Sequence, residues 1–419
     1  MHQLFLKSSG ISTDTRKIYP DCMFVALKGE NFNGNSFSLN ALEQGAKFAV
    51  IDEDVPSDDI RLIRVPDALR ALQDLSTFHR HKFSIPFIAI TGSNGKTTTK
   101  ELMRDVLLKS FKVSATLGNL NNHIGVPLTL LAIPKDCEIA IIEMGANHVG
   151  EIAALSQIAD PDIGMITNIG TAHIGEFGGQ VNIRKGKTEL FRFLQKKKGL
   201  VFVPSDSEWL LEDSNGLERR TYGRSEQADI QVRLRATDPT LSFEWRGHEV
   251  ITHLTGAYNL QNIAAAISIG LHFGVSEADI CEALSSYVPE NNRSQLVQRG
   301  DHRIIMDAYN ANPSSMKAAL DNFKSMHAEK HFFILGGMKE LGEDALFFHE
   351  EIMDLALTTS PYGVFIGQEF MDARGDRKAA VFPDAETARP YLEQQDFSGS
   401  LILMKGSRGI RLEQLLDLL

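Results

Sequence analysis

The chain is 419 residues long, more than one comfortable core and enough for two or three domains. Its 43% apolar and 23% charged residues are those of an ordinary globular protein, and a net charge of -11 argues against a nucleic-acid protein, whose binding face is normally basic. Cys22, Cys137 and Cys281 form no C-x-x-C pair, Met1–Lys17 has no signal-peptide core, and no apolar run nears the roughly 20 residues that span a bilayer. The expectation is a cytoplasmic protein with no nucleic-acid partner and no membrane insertion.

Residues 1–82 mix short strand-like pieces, Met23–Leu27 and Phe48–Ile51, with a helical stretch ending in Leu69–His81. From Ile85 strand, turn and helix alternate: Phe87–Ile90 then Thr97–Phe111, Ile139–Glu143 then Gly150–Ile158, Ile163–Ile169 then Val181–Leu194. That alternation predicts an α/β fold with a largely parallel sheet and helices on its faces. Shorter alternating strands over 205–255, such as Leu241–Trp245, predict an antiparallel annex, and helices follow at Leu260–Phe273 and Glu277–Ser286. The polar, turn-prone run Pro289–Ser294 reads as a hinge. A further α/β unit starts near Gln298, with strands at Ile304–Asp307, Phe332–Leu335, Val364–Ile366 and Leu401–Met404. The expected division is 1–82, 83–296 and 297–419.

Thr91-Gly92-Ser93-Asn94-Gly95-Lys96-Thr97-Thr98-Thr99 follows an apolar strand and opens an amphipathic helix. Glycines let backbone amides approach phosphate oxygens, and the helix N-terminus adds a favourable dipole. Lys96 can neutralise terminal phosphates and the Thr97 hydroxyl can ligate magnesium. A ligand-free glycine turn would have no use for that lysine and those threonines. The loop is shorter than G-x-x-x-x-G-K-[ST], because Ile90 stands where that pattern needs glycine.

Glu143 ends the strand Ile139–Glu143, where ligands of open α/β sheets bind, and is placed for a second magnesium ligand. The bland alternative is an edge carboxylate in solvent. His173 lies just past the next strand; a lone histidine is usually structural, but this position beside the Glu143 strand suits a metal ligand. Lys187 shares a helical face with Ile183, Leu190, Phe191 and Leu194. Spacing alone favours a lysine that snorkels its ammonium to the surface. If it stayed buried its pKa would fall, and a neutral amine can capture carbon dioxide as an anionic carbamate.

In this order the pieces resemble the Mur ligase family, whose three domains bind a UDP-sugar, bind ATP and form a Rossmann-like C-terminal unit. The resemblance implies that Lys96, Glu143, His173 and a carbamylated Lys187 form the catalytic ATP–magnesium site, with two metal positions held by Thr97, Glu143, His173 and Lys187. The family motif Ala-Lys-x-Glu stands here as Gly186-Lys187-Thr188-Glu189. Gly92, Ser93, Asn94, Gly95, Lys96, Thr97 and Thr98 would cradle ATP. Ala257-Tyr258-Asn259-Leu260-Gln261-Asn262 is similar to the family's H-N-x-x-N nucleotide motif, with Tyr258 in place of histidine, which brings in Asn259 and Asn262. Arg293 and Asp307 match the residues that reach ATP across the domain boundary.

The resemblance also covers the substrates. Asp14-Thr15-Arg16 with Phe24–Gly29 looks like the uridine-binding opening of members acting on UDP-muramoyl peptides. Three further segments are similar to the members that join D-alanyl-D-alanine to UDP-N-acetylmuramoyl-tripeptide: Gly118–Pro127 with Asn119, Asn121 and Asn122; Asp307–Pro313 with Asn310; and Lys405-Gly406-Ser407-Arg408. Asparagines offer the paired donors and acceptors that amides and hydroxyls want, though alone an Asn-rich turn is only a turn. The chemistry implied is ATP-dependent activation of a carboxylate as an acyl phosphate, followed by attack of an amine, in a monomer. Rival readings are the ligase adding the third amino acid, a folylpolyglutamate synthase, and a non-catalytic ATP-binding regulator.

Overall fold

The computed structural model describes residues 1–289 and 293–419. Glu290, Asn291 and Asn292, the middle of the predicted hinge, lie outside the described residues.

Three sheets organise the chain. The N-terminal one is parallel throughout, in the order Ile11–Ser12, Met23–Val25, Phe48–Ile51, Leu62–Arg64. The helix Ala68–Arg80 follows, its first turn capped by Asp67, whose carboxylate accepts from the Arg70 N–H at 2.8 Å.

The central sheet has seven parallel strands. Strands buried on both faces read as unbroken apolar runs, and every residue of Phe87–Thr91 and Ile139–Glu143 is buried. The period of two still sorts their side chains. Ile88 and Ile90 pack with the helices Lys96–Leu107 and Asn259–His272, while Phe87 and Ala89 pack with Gly125–Leu131, Glu151–Ala159 and Glu189–Lys197. From Phe87–Thr91 the chain runs to the edge strand Val113–Ala115, returns through Ile139–Glu143, then crosses to Ile163–Ile166 on the other side. Phe87–Thr91 is therefore where the strand order reverses, and its C-terminal end opens the crevice where open α/β sheets bind ligands.

Two expectations need correction. Val181–Leu194 is not one helix but two, Gln180–Lys187 and Glu189–Lys197, meeting at Thr188. The Thr188 hydroxyl bonds back to the Arg184 carbonyl at 2.7 Å, competing with the regular backbone ladder. The stretch 205–255 holds an antiparallel annex of Arg233–Ala236, Ser242–Trp245 and His248–Ile251, but also more. Glu218–Gly223 and Ile230–Gln231 extend the parallel sheet, and Glu208–Asp213 is a helix.

The third sheet runs Gln295–Arg299, His302–Asp307, Ser400–Lys405, Lys330–Gly336, Gly363–Ile366, Ala380–Phe382; only its first strand is antiparallel. After His302–Asp307 the helix Pro313–Ser325 starts on a capping box between Asn312 and Ser315, with proline in its first turn. No described helix is long and apolar enough to cross a membrane.

Candidate active site

A cavity of about 1090 Å³ opens at the switch point. Its walls carry Ser93–Thr98, Glu143, Asn168, His173, Asn259 and Asn262 from the central lobe, and Arg293, Asp307, Asn310 and Lys405 from the chain leading into and through the third lobe.

The loop is shaped by two glycines at positive φ, Gly92 at 141° and Gly95 at 79°. A Cβ on Gly95 would come within 2.7 Å of the Asn262 side chain, so the loop sits directly on that asparagine. Asn262 in turn accepts from the Thr99 hydroxyl at 3.0 Å and donates to Asn259 at 2.7 Å, while Asn259 donates to the Thr255 carbonyl. The predicted nucleotide asparagines thus brace the helix that the loop opens. Lys96 donates to the loop's own carbonyls, Gly92 at 2.6 Å and Ser93 at 3.3 Å. Burial lowers its pKa; Glu143 acts in the opposite sense and Arg293 reinforces the fall.

Glu143 is fully buried, not an edge carboxylate in solvent. Its Oε1 accepts from Thr97 Oγ1 at 3.3 Å and from Asn121 Nδ2 at 2.9 Å. Its Oε2 is buried without a hydrogen bond, and Lys100 Nζ stands 3.5 Å away. A hydroxyl facing a buried carboxylate whose second oxygen makes no hydrogen bond and only an ion pair with Lys100 is a hard-oxygen donor set that fits magnesium.

His173 Nδ1 lies 2.6 Å from Glu340 of the third lobe and 3.3 Å from Glu176. Lys187 does not snorkel: the residue is 1% exposed, its Nζ donates to the Ala146 carbonyl at 2.9 Å, and it sits 5.2 Å from the Phe177 ring. Burial, reinforced by the charge of Lys96, drives its pKa well below the usual lysine value. Among the described residues Ala146 lines the cavity, and Lys187 stands behind it.

The remaining candidates divide. Asn119, Asn121 and Asn122 reach the cavity, but Asn122 Oδ1 also holds the turn leading into the helix Gly125–Leu131, accepting from the Ile124 and Gly125 N–H groups at 3.1 and 2.8 Å. Lys405 is buried and pairs with Asp307 at 2.6 Å. Arg293 lies 3.6 Å over the Tyr309 ring and Arg408 lies 5.4 Å from it. Ser407 Oγ accepts from the Lys339 N–H at 3.2 Å. Asp14, Thr15 and Arg16 form a turn on the N-terminal lobe, Asp14 and Thr15 half-buried and Arg16 exposed, with Asp14 and Arg16 paired at 2.8 Å. The sequence reading missed Lys100, Glu340 and Ser314, and it took in Tyr309 and Asn312 only as members of the segment Asp307–Pro313, with no role for either. Only Asn312 carried a signal, the capping pattern Asn-Pro-Ser-Ser before an amphipathic helix.

Fold and site together define a phosphate-loop protein whose nucleotide-sized cleft is shared by two α/β lobes. Family models match in chain order: Mur ligase family, catalytic domain over 7–80, Mur ligase middle domain over 90–270, and Mur ligase, glutamate ligase domain over 292–408. The chain belongs to the Mur ligase family, whose members are ATP-dependent ligases. It is 35% identical to the UDP-N-acetylmuramoyl-tripeptide--D-alanyl-D-alanine ligase of Bacillus subtilis, over 97% of this chain and 92% of that one. Among solved structures it resembles MurF from Acinetobacter baumannii, at TM-score 0.89 and 31% identity over 99% of this chain and 96% of that one. It also resembles the MurF ligase of Thermotoga maritima in complex with ADP, at TM-score 0.87 and 27% identity over 99% and 97%.

Proposed function

We propose that this chain joins D-alanyl-D-alanine to UDP-N-acetylmuramoyl-tripeptide at the expense of ATP, releasing ADP and phosphate. The observation that carries the reading is Thr97 facing Glu143 beneath a phosphate loop, in a cleft lined by two lobes. The names of its full-length relatives support the substrate pair.

The γ-phosphoryl group passes to the tripeptide's terminal carboxylate, giving an acyl phosphate and ADP. The amine of the dipeptide attacks the acyl carbon, phosphate leaves with the bonding pair, and the amine loses a proton. Such transfer needs positioning and charge neutralisation more than covalent help. The loop amides of Gly92–Thr98 and the Lys96 ammonium bind the phosphates, and Arg293 adds a cation from across the cleft. Asn259, Asn262 and Asp307 complete the nucleotide's surroundings. Thr97 and Glu143 would hold one magnesium ion, and His173 with Lys187 as its carbamate a second, where the metal neutralises phosphate charge. Buried surroundings that favour a neutral Lys187 amine support that carbamate.

In the same reading Asn119, Asn121, Asn122, Asn310, Lys405, Ser407 and Arg408 face the peptide and the incoming amine, and Asp14, Thr15 and Arg16 the uridine end. The enzyme acts as a monomer in the cytoplasm; a light-scattering mass near 46.4 kDa supports the monomer, and twice that removes it. The substrate test is phosphate release across a panel of amines and UDP-peptides. Release should require the tripeptide and D-alanyl-D-alanine together. Equal turnover with single amino acids and a dipeptide precursor would overturn the assignment.

A further inference from the structure

Loop amides bind phosphate well only while the loop keeps its shape, and one loop residue is held by two lobes. The backbone of Asn94 belongs to the central lobe. Its N–H donates to Asn168 Oδ1 at 3.0 Å, and its carbonyl accepts from Thr167 Oγ1 at 2.6 Å and Asn168 Nδ2 at 3.0 Å. The side chain belongs to the third lobe. Asn94 Nδ2 donates to Ser314 Oγ at 3.0 Å, Ser314 Oγ donates to Asn312 Oδ1 at 2.8 Å, and Asn312 Nδ2 donates to Asn94 Oδ1 at 2.7 Å.

These bonds close a ring in which each group both donates and accepts, so each polarises the next. The ring cannot form unless the lobes are docked. The approach is tight: a Cβ on Gly170 would meet Ser314 Oγ at 2.8 Å and Asn94 Nδ2 at 3.2 Å. The Ser314 N–H also donates to Thr171 Oγ1 at 3.0 Å.

Asn312 does two separable things. Its Oδ1 caps the helix Pro313–Ser325, accepting from the Ser315 N–H at 3.0 Å. A cap needs only an oxygen, which aspartate supplies as well as asparagine. Its amide nitrogen takes no part in the cap and is turned instead onto the phosphate loop. The residue is 4% exposed, so the nitrogen has no easy alternative in water.

We propose that Asn312 and Ser314 are positioning residues for phosphoryl transfer: by gripping Asn94 they fix the phosphate loop in its working shape when the third lobe docks. The inference rests on the ligase reading above and deepens it. Most of the nucleotide's contacts, the loop amides, Lys96, Asn259 and Asn262, come from the central lobe, so binding should tolerate loss of the ring, whereas transfer depends on the docked arrangement.

The test uses the full-length protein with Asn312→Asp, which keeps the cap but sets an oxygen against Asn94 Oδ1, and with Ser314→Ala. Both variants should melt within about 2 °C of the parent. ADP affinity in magnesium should stay within about threefold, while kcat falls by about tenfold to a hundredfold. Hydrogen exchange at the amides of residues 92–96, measured with ADP and magnesium, should quicken by about fivefold or more. Unchanged kcat and exchange overturn the proposal. So does a joint fall of melting temperature, ADP affinity and kcat, which is the mark of a purely structural cap. Should the parent itself fail to turn over the muramoyl-tripeptide with D-alanyl-D-alanine, the ligase reading falls, and exchange with ADP still decides the role of Asn312.

Discussion

The central lobe meets its two neighbours through seams of opposite chemistry. Toward the N-terminal lobe the seam is apolar: Phe5, Met23, Val25, Leu72 and Leu75 share one buried cluster with Leu131 of the central lobe. Arg80 closes it, lying 3.7 Å over the Phe87 ring and donating to the carbonyls of Ala159 and Asp160 at 3.0 and 2.8 Å. Toward the third lobe the seam is a set of directional contacts: the Asn94–Ser314–Asn312 ring, the His173–Glu340 pair, and the Gly175 N–H donating to the Glu340 carbonyl at 3.1 Å. Apolar burial is lost in full when surfaces part, whereas a polar contact largely exchanges for water at a net cost near 1 kcal/mol. We expect the first seam to stay shut and the second, where among the described residues only Ile174 of the central lobe joins the third lobe's apolar core, to open and close; the cavity lies on the second.

The largest effect we expect tests whether a charge buried on the cleft side serves chemistry. Lys187→Ala should abolish turnover, by about a thousandfold or more, with the fold kept because alanine suits a helix. Acetate or formate should restore part of the rate by filling the vacated anion position. Lys187→Arg should not rescue, since a guanidinium stays cationic and takes up no carbon dioxide. An arginine variant near wild-type rate makes Lys187 a structural cation and ends the carbamate idea.

The second prediction concerns the apolar seam. Leu131→Ala should destabilise the protein by about 2–4 kcal/mol, from lost burial plus a cavity. Turnover per folded molecule should stay near the parent's. A normal melting temperature with reduced kcat would mean the two seams have exchanged roles.

How far sequence alone anticipates these seams follows from what each is made of. The apolar strands Phe87–Thr91 and Ile139–Glu143, the loop between Thr91 and Thr99 and the buried stripe of Lys187 are local patterns, and they were legible. The fate of Lys187 was not. Spacing places it among Ile183, Leu190, Phe191 and Leu194, but only the packed structure shows Ala146 and Phe177 closing its route to water. Asn312 read as part of an Asn-rich turn, because its partner Asn94 is 218 residues away and no periodicity links them. The chain past Gly223 misled for a related reason: a two-residue strand such as Ile230–Gln231 is too short to carry a pattern, and pairing with Glu218–Gly223 alone defines it.

The third prediction sharpens the contrast in motion. Small-angle scattering should show a smaller radius of gyration with nucleotide and UDP-peptide than without ligand, the outcome expected if the polar seam opens and the apolar one does not. Spin or dye labels across the N-terminal seam should keep one distance in every ligand state. A radius that never changes, or labels that separate across the apolar seam, would remove the distinction.

The smallest effect expected is a pH dependence on the apolar seam. His79, on the helix Ala68–Arg80, is buried beside Phe5 and Phe83, with ring centroids 5.1 and 5.2 Å away. Its Nδ1 lies 3.1 Å from His2 Nε2. Burial, then the positive potential of His2 and Lys135, lowers its pKa to about 4. In the unfolded chain a histidine titrates near ~6.5. Between those values the unfolded state binds more protons than the folded one, so stability rises with pH across the window. It has its full value above the unfolded pKa and is lost as pH falls toward about 4. His79→Gln removes this titration, so its urea midpoint should fall less than the parent's between pH 7.5 and pH 5, by on the order of a few tenths of a molar. Equal declines in the two proteins would mean that His79 is protonated in the folded state, and that water reaches the apolar seam.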